Sequence, residues 1–453
     1  MSIDFLDEMT WRGLAHQCTD EPGLRDHLSS GRRRCYAGFD PTADSLTIGN
    51  LVPVMALVHF ARAGHEPIVV MGGGTGLIGD PSGKSAERLL MTREMVMENV
   101  ESQSRIFANV WRNAALADDP DIMDNAEWLT KLGYIEALRD IGKHFSVNMM
   151  VQKESVRARL EDRDHGISYT EFSYMILQAY DFMHLYTKHG VTVQLGGSDQ
   201  WGNIVAGIDL TKKHTWAEAE KSYRIKIHGG HDDHERVMDS IQFKSAFGLT
   251  VPLVTKADGG KFGKTESGAI WLTPERTSPY AMYQFWLNTA DADVIRFLRI
   301  FTLLDQGEIA AIERAHLEHP EHREAHRALA MGATTLVHGR DEAEAAEAAG
   351  KALFSGDVAS LPEATLREVF AEVPSSEHPK ATLEGGVDLV PLLVETGLAR
   401  SNREAREFLE NGSVSVNGRK VAPDDRLSTA DLLHGSMIAL RRGKKTWRIT
   451  RWV

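Results

Sequence analysis

At 453 residues the chain is too long for one hydrophobic core, so two or three domains are expected. A composition of 42% hydrophobic and 25% charged residues is ordinary for a globular protein, and the lack of any apolar run of bilayer length excludes a membrane-spanning helix. A net charge of −13 excludes a chain that coats nucleic acid everywhere, and two cysteines, Cys18 and Cys35, exclude a disulfide framework or thiolate zinc centre. The same cysteine usage predicts a reducing, cytoplasmic setting, and the acidic start Met1–Glu8 predicts no signal peptide. The charge is uneven, however. From Val387 onward 12 Lys and Arg stand against 8 Asp and Glu, and Leu432–Val453 holds six basic residues and no acidic one. An acidic body with a basic tail is a partner-binding pattern.

In chain order, residues 1–34 read as helical and end in Arg32-Arg33-Arg34. Cys35–Phe39 is an apolar strand stopped at Asp40-Pro41, because proline offers no further ladder donor. Ser45 or Thr47 can cap the next helix, whose apolar face runs through Leu51, Val54, Leu57 and Val58 with Gly49 in its first turn. The free N–H groups and positive dipole end of that helix suit a phosphate. Pro67–Met71 is a second strand running into Gly72–Asp80. Gly74, Gly76 and Gly79 imitate a dinucleotide fingerprint, but Pro81 and Gly83 break the helix that should follow. Gly79 to Ser85 imitates a P-loop with one residue missing between its glycines. Neither motif is accepted.

Helices are expected over 91–115, 127–139 and 152–162, then a long amphipathic one over Tyr169–Tyr186. That helix places Tyr174, Gln178 and Asp181 on one face, spaced i, i+4, i+7. A strand at Val191–Leu195 closes on Gly196-Gly197-Ser198-Asp199-Gln200, and one at 250–254 leads to a loop with Lys261, Gly263, Lys264 and Thr265. Two lysines on a glycine-containing loop suit a mobile phosphate clamp. Strands alternating with helices predict an α/β Rossmann-like parallel sheet with crossovers, over about 1–273. A helical domain is expected at 274–370, a linker at 371–386, and a small α+β domain at 387–453 with a hairpin at Val414–Gly418.

The order of these pieces resembles the bacterial tyrosyl-tRNA synthetases, a class I aminoacyl-tRNA synthetase family. The resemblance rests on G-F-D-P-T-A-D-S-L, G-L-I-G-D-P-S-G-K, G-K-H-F-S-V-N, E-F-S-Y-M-I-L-Q-A-Y-D-F, Q-L-G-G-S-D-Q-W-G-N-I and the lysine loop K-F-G-K-T. The basic tail is similar to the S4-like RNA-binding domain of many members. The resemblance implies ATP and magnesium without a tightly bound cofactor or a dedicated metal cage, and tyrosine and tRNA(Tyr) as partners. It also implies a homodimer meeting over 133–165.

By the same resemblance, Tyr36 and Asp181 hold the substrate phenol. Asp80, Tyr174 and Gln178 hold its amino group, with Asn125 and Gln200 nearby. Gly38, Asp40, Gly49, Gly197 and Asp199 shape the adenosine site. Thr42, Lys84, Arg88, Lys261, Lys264 and Thr265 meet phosphates. The sequence departs from the family twice. Thr47-Ile48-Gly49-Asn50 stands where His-x-Gly-His is usual, which puts the donation from Thr47 to phosphate in doubt. A longer segment, about 215–245, carries His228, His231, Asp232, Asp233, His234 and Glu235, and is expected as a solvated loop rather than a metal site. The competing class is a catalytically weak RNA-binding relative on the same scaffold.

Overall fold

The computed structural model describes residues 3–453 apart from 81–89, 154–155, 158–159, 161–166, 227–244, 261, 266–267, 372 and 444–445. Of residues 219–226 and 264–265 it describes the backbone alone. The chain divides into two compact units, Met1–Thr277 with Thr289–His338, and Ser278–Asn288 with Gly339–Val453.

The first unit is built on a six-stranded sheet. Its strands are β1 (Gln17–Cys18), β2 (Arg34–Phe39), β3 (Glu66–Met71), β4 (Asp121–Asp124), β5 (Val191–Gly197) and β6 (Phe247–Val251), in the order β1-β6-β5-β2-β3-β4. All pairs are parallel except β1 against β6. The central strands are apolar almost throughout because helices cover both faces. Cys35, Tyr36, Ala37, Phe39 and Ile68–Met71 are buried, and the helix Leu51–Arg62 buries Val54, Met55, Leu57 and Val58. From β2 the chain winds outward through β3 and β4, then returns to lay β5 on the other side of β2. The strand order therefore reverses between β2 and β5, and a crevice opens beyond their carboxyl ends, at Asp40 and Gly197.

Several boundaries differ from the sequence reading. Residues 1–34 are not all helix, since β1 interrupts them and pairs with β6, more than two hundred residues away. The strand expected at 250–254 begins earlier, at Phe247. The helix expected over 127–139 is interrupted at 130–133, between Ala126–Leu129 and a helical run from Tyr134 through a π-turn to Ile141, behind an unanticipated β4. The helix expected at 152–162 falls largely outside the described residues. The first part of the extra segment is no loop, because the helix Trp201–Lys226 continues through it. His228, His231, Asp232, Asp233, His234 and Glu235 lie outside the described residues.

Three helices expected in a separate helical domain, Asp291–Phe301, Gln306–Glu318 and Glu324–His338, belong to the first unit. Buried Arg12 fastens the end of the first of these by donating to the carbonyls of Arg299 (2.7 Å), Thr302 (2.9 Å) and Leu304 (2.8 Å). Those carbonyls have no partner within the helix, so a guanidinium fork is an economical cap.

The second unit holds the helices Pro279–Leu287, Arg340–Ser355 and Glu363–Val369 and a five-stranded sheet. Its strand order is Arg419–Lys420, Val414–Val416, Met437–Arg442, Thr446–Trp452 and Ser375–His378. The expected hairpin is present, with Asn417 (φ 49°) and Gly418 (φ 91°) supplying the two positive angles of its tight turn. The expected linker 371–386 is instead structured, because Ser375–His378 joins the sheet edge in parallel with the final strand. A polar Ser-Ser-Glu-His strand behind Pro374 has no apolar alternation to reveal it. Half of the basic tail is structural. Arg441 donates to the Phe354 carbonyl (3.1 Å), Arg448 to that of Thr396 (2.9 Å) and Arg442 to that of Leu398 (2.5 Å). Among the described residues no helix is long and apolar enough to cross a membrane.

Candidate active site

A cavity of about 430 Å³ fills the crevice at the strand-order reversal. Its wall includes Tyr36, Gly38, Asp40, Thr42, Thr47, Gly49, Asn50, Asp80, Asn125, Tyr174, Gln178, Asp181, Gly197, Asp199 and Gln200. The structure therefore brings together fifteen of the twenty residues singled out from sequence. Lys84, Arg88 and Lys261 lie outside the described residues. Lys264 and Thr265 are placed as the backbone of a two-residue strand paired with Gly268–Ala269.

At one end of the cavity sits Asp181, on the buried face of the helix Tyr169–His189. Its two oxygens accept from Trp128 Nε1 (2.7 Å) and Asn125 Nδ2 (2.9 Å). Burial pushes the carboxyl up to about 7, against the lowering effect of those two donors; Asp40 and Asp124 add repulsion. Tyr36, on β2, is 1% exposed, and its hydroxyl has no hydrogen-bond partner among the described residues. A phenolic O–H orphaned in a buried wall costs about 1–3 kcal/mol unless a ligand completes it. The side-chain amide oxygen of Gln194, on β5, is likewise buried and has no hydrogen-bond partner among the described residues.

Asp40 ends β2 and is held from two sides. Thr75 Oγ donates to one oxygen (2.8 Å) and the Tyr174 hydroxyl to the other (2.9 Å). Burial first, and the charges of Asp40 and Asp80 second, hold the Tyr174 phenol well above its ordinary range, so it stays protonated and able to donate. Gln200 Nε2 donates to Asp80 (2.8 Å), while the Gln178 carbonyl accepts from Asn203 (2.9 Å), which also donates to Gln200 (3.2 Å). Asn125 is a brace as much as a wall, since its carbonyl accepts from the Gly74 N–H (2.7 Å) and its amide donates to Thr75 (3.0 Å) as well as to Asp181.

At the other end, Asn50 Oδ1 accepts from both the backbone N–H (3.0 Å) and the hydroxyl (2.8 Å) of Thr47. The Asn50 side chain thus caps the Thr47 N–H at the start of this turn, and its amide NH2 is the group that remains to donate. The lysine loop is docked against this turn: Ile48 N–H donates to the Ile270 carbonyl (2.9 Å) and Leu272 N–H to that of Leu46 (2.8 Å). Gly263 makes this approach possible. Its φ is +76°, and a Cβ there would lie 2.5 Å from Ile48 Cγ2. Phe262 anchors the loop behind it, stacked on Phe301 with centroids 5.1 Å apart.

Sequence reasoning missed Trp128, Thr75, Gln194 and Asn203. Only Trp128 carried a local signal, since it stands three residues after Asn125 at the start of a helical turn, a spacing that puts both on one side. The arrangement offers a carboxylate and phenol pair at one end, an amide and carboxylate network in the middle, and a helix start beneath a lysine-bearing strand at the other. It can orient an amphoteric small molecule against a polyphosphate, and it holds no nucleophile–base pair among the described residues.

Residues 29–355 match the family model described as tRNA synthetases class I (W and Y), and residues 365–450 match the Tyrosine--tRNA ligase SYY-like C-terminal domain. The chain is 48% identical to the tyrosine–tRNA ligase of Bacillus caldotenax over 99% of this chain and 100% of that one. It is 46% identical to that of Roseiflexus castenholzii over 99% of each. Among solved structures, it is similar to a C-terminally truncated mitochondrial tyrosyl-tRNA synthetase of Aspergillus nidulans. That match has a TM-score of 0.66 and 30% identity, covering 78% of this chain and 94% of that one.

Proposed function

The chain belongs to the class I tRNA synthetases for tryptophan and tyrosine and is a tyrosine–tRNA ligase, and from that premise we propose how its own residues divide the work. The overall reaction joins tyrosine to tRNA at the expense of ATP. In the first step the tyrosine carboxylate attacks the α-phosphorus of ATP and pyrophosphate leaves. In the second a hydroxyl at the 3′ end of tRNA attacks the tyrosyl carbonyl of that adenylate, forming the ester as AMP leaves. The carboxylate is already ionised near neutral pH, so no general base is needed, and rate comes from positioning and from neutralising the charge that develops on pyrophosphate.

In this reading Tyr36 and Asp181 receive the phenol. The observation that carries it is the orphaned Tyr36 hydroxyl beside a carboxylate fixed by Trp128 and Asn125. Asp80, Tyr174 and Gln178, held by Gln200, Asp40 and Asn203, receive the ammonium group. Gly38, Asp40, Gly49, Gly197 and Asp199 shape the adenosine end. Asn50, Thr42, Lys84, Arg88, Lys261, Lys264 and Thr265 act on the phosphates. Magnesium enters with ATP as part of the substrate, since the carboxylates of Asp40 and Asp80 are bonded to protein donors.

The protein acts as a homodimer in the cytoplasm in this proposal. Tyr134, Ile135, Leu138, Val147, Met149 and Leu160 are large, mostly apolar side chains exposed within 133–165, and they are the surface that a partner subunit would cover. A single monomeric species in sedimentation at micromolar concentration would remove that part of the reading.

Exchange of labelled pyrophosphate into ATP tests the site assignment, with a Thr47→His variant alongside. Exchange with tyrosine, and not with phenylalanine or tryptophan, is the expected result. The Thr47 hydroxyl is engaged by Asn50, so a histidine that reaches past it should raise the exchange rate by roughly tenfold, the effect of about one added charge-assisted hydrogen bond. An unchanged or slower variant would show that Thr47 is not the weak point. No exchange by either form, with tRNA still bound, would leave the competing RNA-binding reading.

A further inference from the structure

The helices Asp291–Phe301, Gln306–Glu318 and Glu324–His338 converge on a group that the aminoacylation chemistry does not use. Asp291, His316 and His326 each offer one ligand atom, and these atoms all lie within 4.8 Å of one another. His326 Nε2 is 3.2 Å and His316 Nε2 is 3.9 Å from Asp291 Oδ1, and the two rings meet edge to face with centroids 5.6 Å apart. Both histidines are buried, His326 completely, whereas Asp291 is exposed. Nδ1 of His316 makes no hydrogen bond among the described residues, and the ring of His326 finds only a poorly aligned contact with the backbone of Thr289 besides its approach to Asp291. A plain Asp291–His326 ion pair accounts for one of these nitrogens and leaves the second histidine without a reason to be buried beside it.

We infer that Asp291, His316 and His326 form a transition-metal site of the zinc type, with its remaining position open to solvent beside Asp291. Two imidazoles and one carboxylate are a borderline donor set, suited to Zn²⁺, Co²⁺ or Ni²⁺ rather than to Mg²⁺ or Ca²⁺. Tetrahedral bonds of about 2.0–2.1 Å place ligand atoms about 3.4 Å apart, so closing the present triangle needs only small side-chain rotations. The ligands come from three helices, and a bound ion pins them together. Asp293, in the same turn as Asp291, accepts from the Ala257 N–H (3.0 Å), and Arg296 donates both to Asp293 (2.6 Å) and to the Thr255 carbonyl. The helix that the ion braces is therefore the one that holds the root of the lysine loop.

The test is calorimetric titration of Zn²⁺ into the full-length, chelator-treated chain with millimolar Mg²⁺ present, with Co²⁺ absorption reporting coordination. One Zn²⁺ per chain is expected, with visible Co²⁺ bands of a four-coordinate site and a rise in Tm. Because His326 is completely buried and a change there disturbs the packing of its helix, Asp291→Asn at the exposed ligand and His316→Gln serve as the variants. Each should weaken binding by at least about tenfold, as loss of one ligand does. The His319→Ala/His322→Ala double variant, at an exposed group nearby, and the His228→Ala/His231→Ala/His234→Ala triple variant should leave affinity unchanged. Absence of stoichiometric binding, or binding that Asp291→Asn and His316→Gln weaken by less than that, overturns the site.

Discussion

Replacing Asp181 by alanine is expected to lower kcat/KM for tyrosine in pyrophosphate exchange by about 10²–10³, with KM for ATP changed by no more than about twofold. The carboxylate is the acceptor proposed for the phenol, and its removal also strands the buried Trp128 N–H and Asn125 amide that now point at it. Phenylalanine gains relative to tyrosine in such a variant, because the penalty for bringing no hydroxyl disappears with the group that required one. A loss confined to ATP kinetics would refute the assignment.

The same carboxylate sets a pH dependence. With Asp181 at about 7 in the free protein, kcat/KM for tyrosine should fall about tenfold per unit as pH drops below that value. Removing the Trp128 donor by Trp128→Phe takes away a lowering influence, so the inflection should move upward. For stability the sign is opposite to that of a salt-bridged aspartate. The folded value lies above the unfolded one of about 3.9, so the folded state binds more protons between them. Asp181 therefore costs stability progressively as pH rises from about 4 to about 7, and the cost is constant above that. It is of order a few kcal/mol, and activity is what it supports.

Lys264→Ala is expected to reduce the rate of adenylate formation by about 10²–10³, the usual effect of losing one preorganised donor to developing charge, with tyrosine affinity little altered. Rapid-quench measurement of a single turnover separates the two quantities. Gly263→Ala tests the same claim from the backbone. A methyl group there meets Ile48 at 2.5 Å on a residue whose φ of +76° already disfavours a side chain, so the lysine strand must lift from the helix start. About a tenfold loss in the same rate constant, again without loss of tyrosine affinity, is the expected result. If Gly263→Ala weakened tyrosine binding instead, the loop would belong to the amino-acid end of the cavity.

What could be read from residue order was whatever chemistry confines to short segments. Asp40, Asp80, Asp199 and the triplet Tyr174, Gln178 and Asp181 follow glycine-interrupted strand ends or a single helical face, and each pattern is local. Strands β2, β3 and β5 were visible because a parallel strand buried on both sides is apolar along its length. Tertiary structure alone decided the rest, since those elements take their identity from distant partners. The two-residue β1 exists only by pairing with Leu249 and Thr250, and Ser375–His378 only by pairing with the last strand. The three helices after Asp291 join the first unit through contacts such as those of Arg12. Asp181 itself shows the division. Its place on a helix face was legible from spacing, but its elevated pKa was not, because burial, Trp128 and Asn125 set that value and only the folded chain brings them to it.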